Sequence, residues 1–200
     1  MKLRESGMPA EDYWESLLDV DAILARFHFG PATGGVVELG CGYGTFTLPL
    51  ARRIGGQVHA FDIDGDMVKR TKERASFAGT KNIQASKRDA LVHGYGLPDG
   101  SCAAGLLFNI LHGESPVELL RETARVVQSG GILAVIHWRT DIATPRGPSP
   151  EIRPSPEQIA KWTSVAGGLR LTDGPFNLPP YHYGMTFTRL HSHGLPEKDG

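Results

Sequence analysis

The stretch VVELGCGYG, residues 36–44, constrains the fold more than any other part of the chain. A short apolar run carries Glu38 near its end and is followed by three alternating glycines, Gly40, Gly42 and Gly44. A strand that enters a glycine turn before a helix is the nucleotide-binding unit of open α/β sheets. Such a turn usually directs backbone N–H groups and a helix dipole toward a phosphate. Because Glu38 would repel a pyrophosphate, this turn favours a nucleotide-like ligand that carries positive charge.

The spacing of the turn also departs from the dinucleotide fingerprint, since the third-glycine position holds Thr45 or Thr47. The turn instead resembles the first motif of class I S-adenosylmethionine-dependent methyltransferases, acid-x-Gly-x-Gly-x-Gly. The resemblance covers roughly residues 11–190, and within the superfamily the ubiquinone/menaquinone-type methyltransferases look most similar. It implies S-adenosylmethionine as cofactor, S-adenosylhomocysteine as product, and a first group of cofactor-binding residues: Glu38, Gly40, Cys41, Gly42 and Gly44.

Two further acids fit the order of this family's motifs. Asp62 ends the next apolar run, about twenty residues past the glycines, where nucleotide-binding α/β folds place a carboxylate on the ribose hydroxyls. The resemblance implies that Asp89 contacts the adenine amino group. It also adds three neighbours to the cofactor site: Ile63, Ala90 and Asn109. One departure is Ala103, where many relatives carry an acid.

Asp64 and Asp66 follow Asp62 closely. Acids at the start of a helix accept hydrogen bonds from free N–H groups and meet the positive end of the dipole. We interpret both as helix N-terminal residues.

Short apolar runs predict an α/β fold with parallel strands covered on both faces. The runs are Val36–Leu39, Val58–Phe61, Ala103–Ile110 and Ile132–Ile136. The resemblance implies a three-layer Rossmann-like methyltransferase fold with a seven-stranded, mostly parallel sheet and an antiparallel last strand. Two later runs would complete the sheet, Leu169–Leu171 and Tyr183–Leu190.

The helix signals are strongest where caps accompany an apolar repeat. Ser115 and Glu118 have capping-box spacing around Pro116, and Gly130 follows, which predicts a helix over 116–128. A repeat after Asp62 predicts another helix, and one near the start predicts an N-terminal cap helix over 11–28. Pro49 is tolerable only near the first turn of its helix. Prolines mark a strap over 139–156, which is followed by a helix from about residue 156 to residue 165.

Length and composition favour one methyltransferase domain over 1–190 with a loose tail over 191–200. The formal net charge of −1 argues against nucleic acid as a partner. Two cysteines, Cys41 and Cys102, offer neither a disulfide framework nor a metal cluster, so we expect a cytoplasmic protein without a metal. The chain shows no signal-peptide pattern and no run of eighteen apolar residues, so we expect no membrane span.

Methyl transfer is a displacement at carbon, in which the protein mainly aligns the acceptor and excludes water. A histidine can act as base when the acceptor must lose a proton. His182, in a rigid aromatic loop, is our first candidate and His112, after the fourth strand, is the second. A turn or packing role competes for His112, and His137 is expected to be a core histidine.

Four residues are expected near the methyl acceptor: Trp14, Trp138, Arg153 and Tyr181. In relatives the N-terminal helix folds over the cofactor, so the resemblance implies that Trp14 can line the cavity. Trp138 follows the fifth strand, where a side chain can reach a substrate. Arg153 could either hold the strap through an exposed ion pair with Glu151 or clamp an anionic substrate.

The sequence therefore predicts a methyltransferase that acts on a small-molecule acceptor. A non-catalytic subunit that binds the cofactor or activates a partner is the alternative, because Ala103 replaces an acid and no base is assured. A nicotinamide-dependent oxidoreductase would require Glu38 to tolerate a pyrophosphate.

Overall fold

The computed structural model describes residues 7–191 and contains one seven-stranded sheet. The strands are β1 (Val36–Leu39), β2 (Val58–Asp62), β3 (Ile83–Lys87), β4 (Cys102–Phe108), β5 (Val127–Trp138), β6 (Leu169–Leu178) and β7 (His182–Arg189). Their order is β3-β2-β1-β4-β5-β7-β6, and β7 runs antiparallel to both of its neighbours. The predicted Rossmann-like methyltransferase fold is therefore confirmed. The predicted tail lies outside the described residues from position 192 onward.

Seven helices in the described part flank this sheet: α1 (Glu11–Ser16), α2 (Val20–Arg26), α3 (Thr47–Arg53), α4 (Gly65–Phe77), α5 (Ala90–His93), α6 (Pro116–Val126) and α7 (Pro156–Ala166). Val36 of β1 packs in the same core cluster as Leu24 of α2, whereas Val37 packs with Leu120 of α6 on the other face. Successive side chains of a strand point to opposite faces, so a strand buried on both faces is apolar throughout. No helix among residues 7–191 is long and apolar enough to cross a bilayer.

The sheet brings the ends of three strands together beside the switch in strand order. Leu39 of β1 aligns with Phe61 of β2 on one side and with Leu107 of β4 on the other. Ligands of open α/β sheets bind outside the carboxyl ends of the strands at such a switch point. The turns after β1, β2 and β4 are therefore the parts of the fold that can form a site.

The N-terminal cap is two short helices instead of the single helix predicted over 11–28. Helix α1 ends at Ser16, and α2 begins after Asp19, whose side chain accepts a hydrogen bond from the N–H of Ala22 at 3.0 Å. A capping aspartate satisfies a free N–H at a helix start, which explains why the chain breaks and restarts here.

The predicted capping box before α6 does not form. Ser115 has a φ of 54°, and its side chain makes no capping hydrogen bond, because an N-cap usually needs extended backbone to place its oxygen over the first turn. Helix α6 begins at Pro116 as predicted but ends at Val126, since Val127 already pairs with Cys102 in the sheet. Gly130 consequently lies in β5 and does not end the helix.

Candidate active site

The glycine turn leaves β1 and closes against the end of β2. The N–H groups of Gly40 and Cys41 both donate to the carbonyl of Phe61, at 2.7 and 3.1 Å. Gly40 has a φ of +79°, and a Cβ there would lie 2.8 Å from Ile110. Glycine is required at this position because both the backbone conformation and the close neighbour exclude a side chain.

Asp62 lies at the end of β2 and fixes the two turns beside it. Its carboxylate accepts hydrogen bonds from the N–H groups of Gly42 and Asp64, both at 2.9 Å. Burial raises the pKa of Asp62, although these hydrogen bonds act in the opposite direction. Asp64 in turn caps α4, and Asp66 lies in its first turn, so both take the helix N-terminal positions that were predicted.

A cavity of about 220 Å³ opens at the carboxyl ends of β1, β2 and β4. It brings together ten of the residues that the sequence placed at the site: Trp14, Gly40, Cys41, Gly42, Asp62, Ile63, Asp89, Ala90, Asn109 and His112. The other wall residues are largely apolar: Met8, Leu39, Thr45, Phe46, Arg88, Leu91, Phe108, Ile110, Gly113, Glu114 and Leu119. Sequence reasoning missed the apolar members of this second group, because an apolar wall residue has the same sequence signal as a core residue.

Glu38 does not line this cavity. Its carboxyl group is buried and accepts a hydrogen bond from the hydroxyl of Thr47, in the first turn of α3, at 2.6 Å. Burial raises the pKa of Glu38 to about 8. The structure therefore places Glu38 as a link between β1 and α3, and a direct contact with a cofactor stays a prediction.

Asn109, directly after β4, carries the clearest mark of a ligand site. Its φ is +59°, in the left-handed region. Neither polar atom of its side-chain amide reaches solvent, and neither has a hydrogen-bond partner among residues 7–191. A buried amide without partners is costly. Because Asn109 lines the cavity, a bound molecule would supply the missing partners.

Asp89 lines the same cavity from the turn after β3. Its carboxylate caps α5 by accepting hydrogen bonds from the N–H groups of Leu91 and Val92, at 3.0 and 3.3 Å. Helix capping and contact with a cofactor are compatible, because a carboxylate has room for several donors. The adenine contact stays a prediction.

His112 is the candidate base that the structure brings to the cavity wall. Its Nδ1 lies 3.3 Å from Nε2 of His137, at the end of β5, and the two rings meet edge to face. Burial lowers the pKa of His112, which keeps its imidazole neutral near pH 7. A neutral imidazole is the form that can accept a proton.

His182 lies away from the cavity, and this corrects our first choice of base. The pairing of β5 with β7 sets His182 opposite Trp138, and their ring centroids are 4.2 Å apart. The imidazole is fully buried, and neither ring nitrogen has a partner within residues 7–191. Burial and the charge of Arg153 lower the pKa of His182 to about 4. In this structure His182 packs as a core ring.

Three of the expected substrate residues surround His182 and do not reach the cavity: Trp138, Arg153 and Tyr181. Arg153 donates to the backbone carbonyls of Pro148, Arg139 and Arg146, at 2.7, 3.1 and 3.3 Å. It therefore holds the proline strap through these carbonyls, and an ion pair with Glu151 is not among the contacts in the described part. Trp14 links the two regions, since it lines the cavity and meets Trp138 edge on at 6.3 Å.

Helix α1 is fixed over the cavity by arginines of α4. Arg70 pairs with Glu11 at 2.6 Å, and Arg74 pairs with Glu15 at 2.6 Å and with Glu11 at 3.1 Å. Arg74 also donates to the carbonyl of Tyr43 in the glycine turn at 3.1 Å. These contacts place Trp14, in the middle of α1, on the cavity wall.

The strand order, the glycine turn after β1 and the acid after β2 define a nucleotide-binding Rossmann-like fold of the methyltransferase type. Residues 36–131 match a family model described as a methyltransferase domain. A methyltransferase structure from Aquifex aeolicus, described as SAM-dependent, superimposes with a TM-score of 0.79 at 24% identity, over 90% of this chain and 94% of that one. Residues 36–131 therefore carry a methyltransferase domain, and the chain has the fold of that SAM-dependent methyltransferase.

Two relatives are named after small molecules. The aklanonic acid methyltransferase DauC of Streptomyces sp. (strain C5) is 29% identical over 52% of this chain, and the match spans about half of that protein, 48%. The N-demethylindolmycin N-methyltransferase of Streptomyces griseus is 24% identical over 78% of this chain and 69% of its own length. Neither is named as a ubiquinone or menaquinone methyltransferase, and that subgroup stays a prediction.

S-adenosylmethionine is the cofactor of this family, and the cavity residues fit it. The buried Asn109 amide needs a polar partner, and the turn at Gly40 has no room for a side chain of its own. The carboxylates of Asp62 and Asp89 give the wall the negative charge that suits a cationic cofactor with free hydroxyl and amino groups. Gly40, Cys41 and Gly42 of the turn, with Asp62, Asp89 and Asn109, are therefore the residues that would hold it. The predicted Gly44 does not line the cavity and lies against Leu48 and Thr71.

Proposed function

We propose that the protein transfers a methyl group from S-adenosylmethionine to a small-molecule acceptor within the cavity after β1, β2 and β4. The observation that carries the proposal is the shared wall of this cavity. Asp62 and Asn109 lie on it with His112 and Trp14, so the residues proposed to hold the cofactor and those proposed to meet the acceptor face the same cavity. Two relatives that are named for small molecules support the same class of acceptor.

S-adenosylmethionine supplies a methyl group that is already strongly electrophilic, so the chain needs no covalent catalyst. Its residues hold the acceptor in line and keep water out. Trp14 on α1 and Phe46 after the glycine turn supply an apolar wall for this purpose. His112 is the proposed base, because it is neutral, lies on the wall, and would accept a proton from a hydroxyl or ammonium acceptor.

The test has two parts. Calorimetry with S-adenosylmethionine and S-adenosylhomocysteine measures binding, and failure of both to bind would remove the proposal. Methyl-labelled cofactor incubated with the protein and a small-molecule metabolite extract then measures transfer. A labelled small product that is absent with His112→Ala, in a variant that still binds cofactor, supports both the reaction and the base.

A non-catalytic cofactor-binding subunit is the second candidate. It rests on the resemblance, in which many relatives carry an acid at the position of Ala103; this residue lies near the start of β4 and does not line the cavity. The two candidates differ in the labelling experiment, because the non-catalytic subunit would bind the cofactor and leave every acceptor unlabelled. Cytoplasmic location and the absence of nucleic-acid partners stay predictions from composition.

A further inference from the structure

The contact between His112 and His137 joins a cavity residue to a buried one. Nδ1 of His112 and Nε2 of His137 are 3.3 Å apart, with ring centroids at 5.3 Å and an interplanar angle of 76°. His137 is fully buried, whereas His112 is partly exposed on the cavity wall. The sheet fixes the pair, since the N–H of Asn109, three residues before His112, donates to the carbonyl of Ile136 at 2.8 Å.

A nitrogen–nitrogen hydrogen bond holds a single proton, so the contact couples the tautomers of the two rings. When His112 donates from Nδ1, its Nε2 carries a lone pair and is the nitrogen left for a ligand. When His137 donates instead, His112 must carry its proton on Nε2 and cannot act as a base there. The tautomer of His112 therefore depends on which state His137 takes.

The surroundings of His137 disfavour a charged ring. The groups that face it are His112, His182 and Arg153, and the ring of Tyr183 lies 6.5 Å away. Burial is the main cause that holds the pKa of His137 well below its usual value; the charge of Arg153 and the repulsion from any proton on His112 or His182 act in the same direction, and a backbone hydrogen bond at Trp138 acts in the opposite one. A neutral His137 has one nitrogen that can accept; when that nitrogen is Nε2, its proton lies on Nδ1, which is buried and has no hydrogen-bond partner within residues 7–191. The charged groups that share the cavity wall with His112 are Asp62, Arg88, Asp89 and Glu114.

We propose that His137 is a positioning residue, which accepts the Nδ1 proton of His112 and so leaves the Nε2 lone pair of His112 for the methyl acceptor. The proposal rests on the proposed function, in which His112 is the base. When His112 takes a proton from the acceptor at Nε2, its Nδ1–H remains donated to His137. The hydrogen bond is then stronger, because its donor is charged. The role parallels that of a carboxylate behind a catalytic histidine, with a neutral acceptor in its place.

The first experiment reads the tautomer directly. Nitrogen NMR of ¹⁵N-histidine-labelled protein distinguishes a protonated from a bare ring nitrogen, and His112→Gln assigns the signals. We expect the neutral His112 ring to carry its proton on Nδ1 in the wild-type protein. A proton on Nε2 of wild-type His112 would overturn the proposal, whether or not any acceptor is found.

Variants then test the dependence on His137. His137→Phe keeps an aromatic ring and removes the acceptor, so we expect mixed tautomers, a lower pKa of His112, and kcat reduced by about tenfold, the loss of one hydrogen bond. His137→Gln places an amide oxygen near the Nε2 position and should restore the Nδ1 tautomer and most of kcat. Cofactor affinity should be unchanged in both.

Controls separate this proposal from the proposed function. His93→Phe, on the exposed end of α5, should leave the His112 signals and kcat unchanged. If S-adenosylmethionine does not bind, the proposed function fails while the NMR result still decides the tautomer. If His137→Phe leaves the tautomer and pKa of His112 as in the wild type, His137 is a packing residue only. Should His137→Phe not fold, the wild-type spectrum and His137→Gln decide the question.

Discussion

The carboxylate of Asp62 accepts a hydrogen bond from the N–H of Gly42 at 2.9 Å, which ties the end of β2 to the glycine turn after β1. The same carboxylate lines the cavity and accepts from the N–H of Asp64. The acid expected to hold a ribose therefore also holds the two turns that shape its site. Removing it affects both binding and the fold, and a variant must separate the two effects.

Asp62→Asn keeps one oxygen that can accept a hydrogen bond and removes the charge. We expect it to weaken cofactor binding by about 1–3 kcal/mol, the range for a hydrogen bond to a charged group, and to lose part of the stability, because Gly42 and Asp64 donate to different oxygens and the amide keeps only one. Asp62→Ala should also lower the thermal midpoint, because it leaves the N–H groups of Gly42 and Asp64 without an acceptor. Calorimetry and thermal unfolding measure the two effects. Asp66→Asn, on the exposed first turn of α4, is the matched control; equal binding losses at both positions would contradict the assignment.

Glu38→Gln tests the buried carboxyl beside Thr47. The folded pKa of Glu38 is raised to about 8 from an ordinary 4.5, so the folded protein keeps a proton that the unfolded chain releases between these values. The contribution of Glu38 to the free energy of unfolding is therefore largest below about pH 4.5. It falls as pH rises to about 8, by at most about 1.4 kcal/mol per pH unit.

The glutamine variant tests this dependence, because glutamine does not titrate and retains an acceptor for Thr47. In urea unfolding from pH 5 to pH 9, the free energy of unfolding of the variant should rise relative to that of the wild type as pH rises. The control Glu73→Gln, on the exposed face of α4, should show the same pH dependence of stability as the wild type. A stability difference between Glu38→Gln and the wild type that does not change with pH would refute the prediction.

The parts of the molecule that sequence could predict are those with a strictly local cause. The turn at Gly40 follows from backbone conformation, and the buried strands follow from apolar runs that need cover on both faces. Asp62 follows from its place at the end of β2. The break before α2 escaped prediction because the capping by Asp19 competes with an apolar repeat that continues through it. His182 was misplaced because only the register of β7 against β5 decides which way its ring points.

His182→Phe tests that reassignment. The ring of His182 packs on Trp138, and its two nitrogens have no partner in the described part of the chain, so phenylalanine keeps the packing and removes unpaired polar atoms. We expect unchanged cofactor binding and turnover and a gain of about 1 kcal/mol at pH 7. The folded pKa near 4 lies below the usual 6.5 of histidine, so the wild type loses stability as pH falls from about 6.5 to 4, when the unfolded chain takes up a proton. The variant should lose less over that range. His93→Phe is the exposed control, and lost turnover with intact binding in His182→Phe would restore His182 as the base.

Arg74 connects α1 with the glycine turn, and its removal tests whether the N-terminal cap contributes to binding. Arg74 contacts Glu11, Glu15 and the carbonyl of Tyr43, whereas Lys72 on the same helix is exposed. Each partly exposed ion pair is worth little, so Arg74→Met should weaken cofactor affinity only about two- to fivefold. The loss should shrink as salt rises, because screening weakens the same pairs in the wild type.

Proteolysis gives a second measurement. Endoproteinase Glu-C should cleave Arg74→Met near α1 faster than the wild type, because a detached helix exposes its backbone. Lys72→Met should change neither the rate of this cleavage nor the affinity for the cofactor. If both variants bind alike at low and high salt, the contacts of Arg74 with α1 do not contribute to the site.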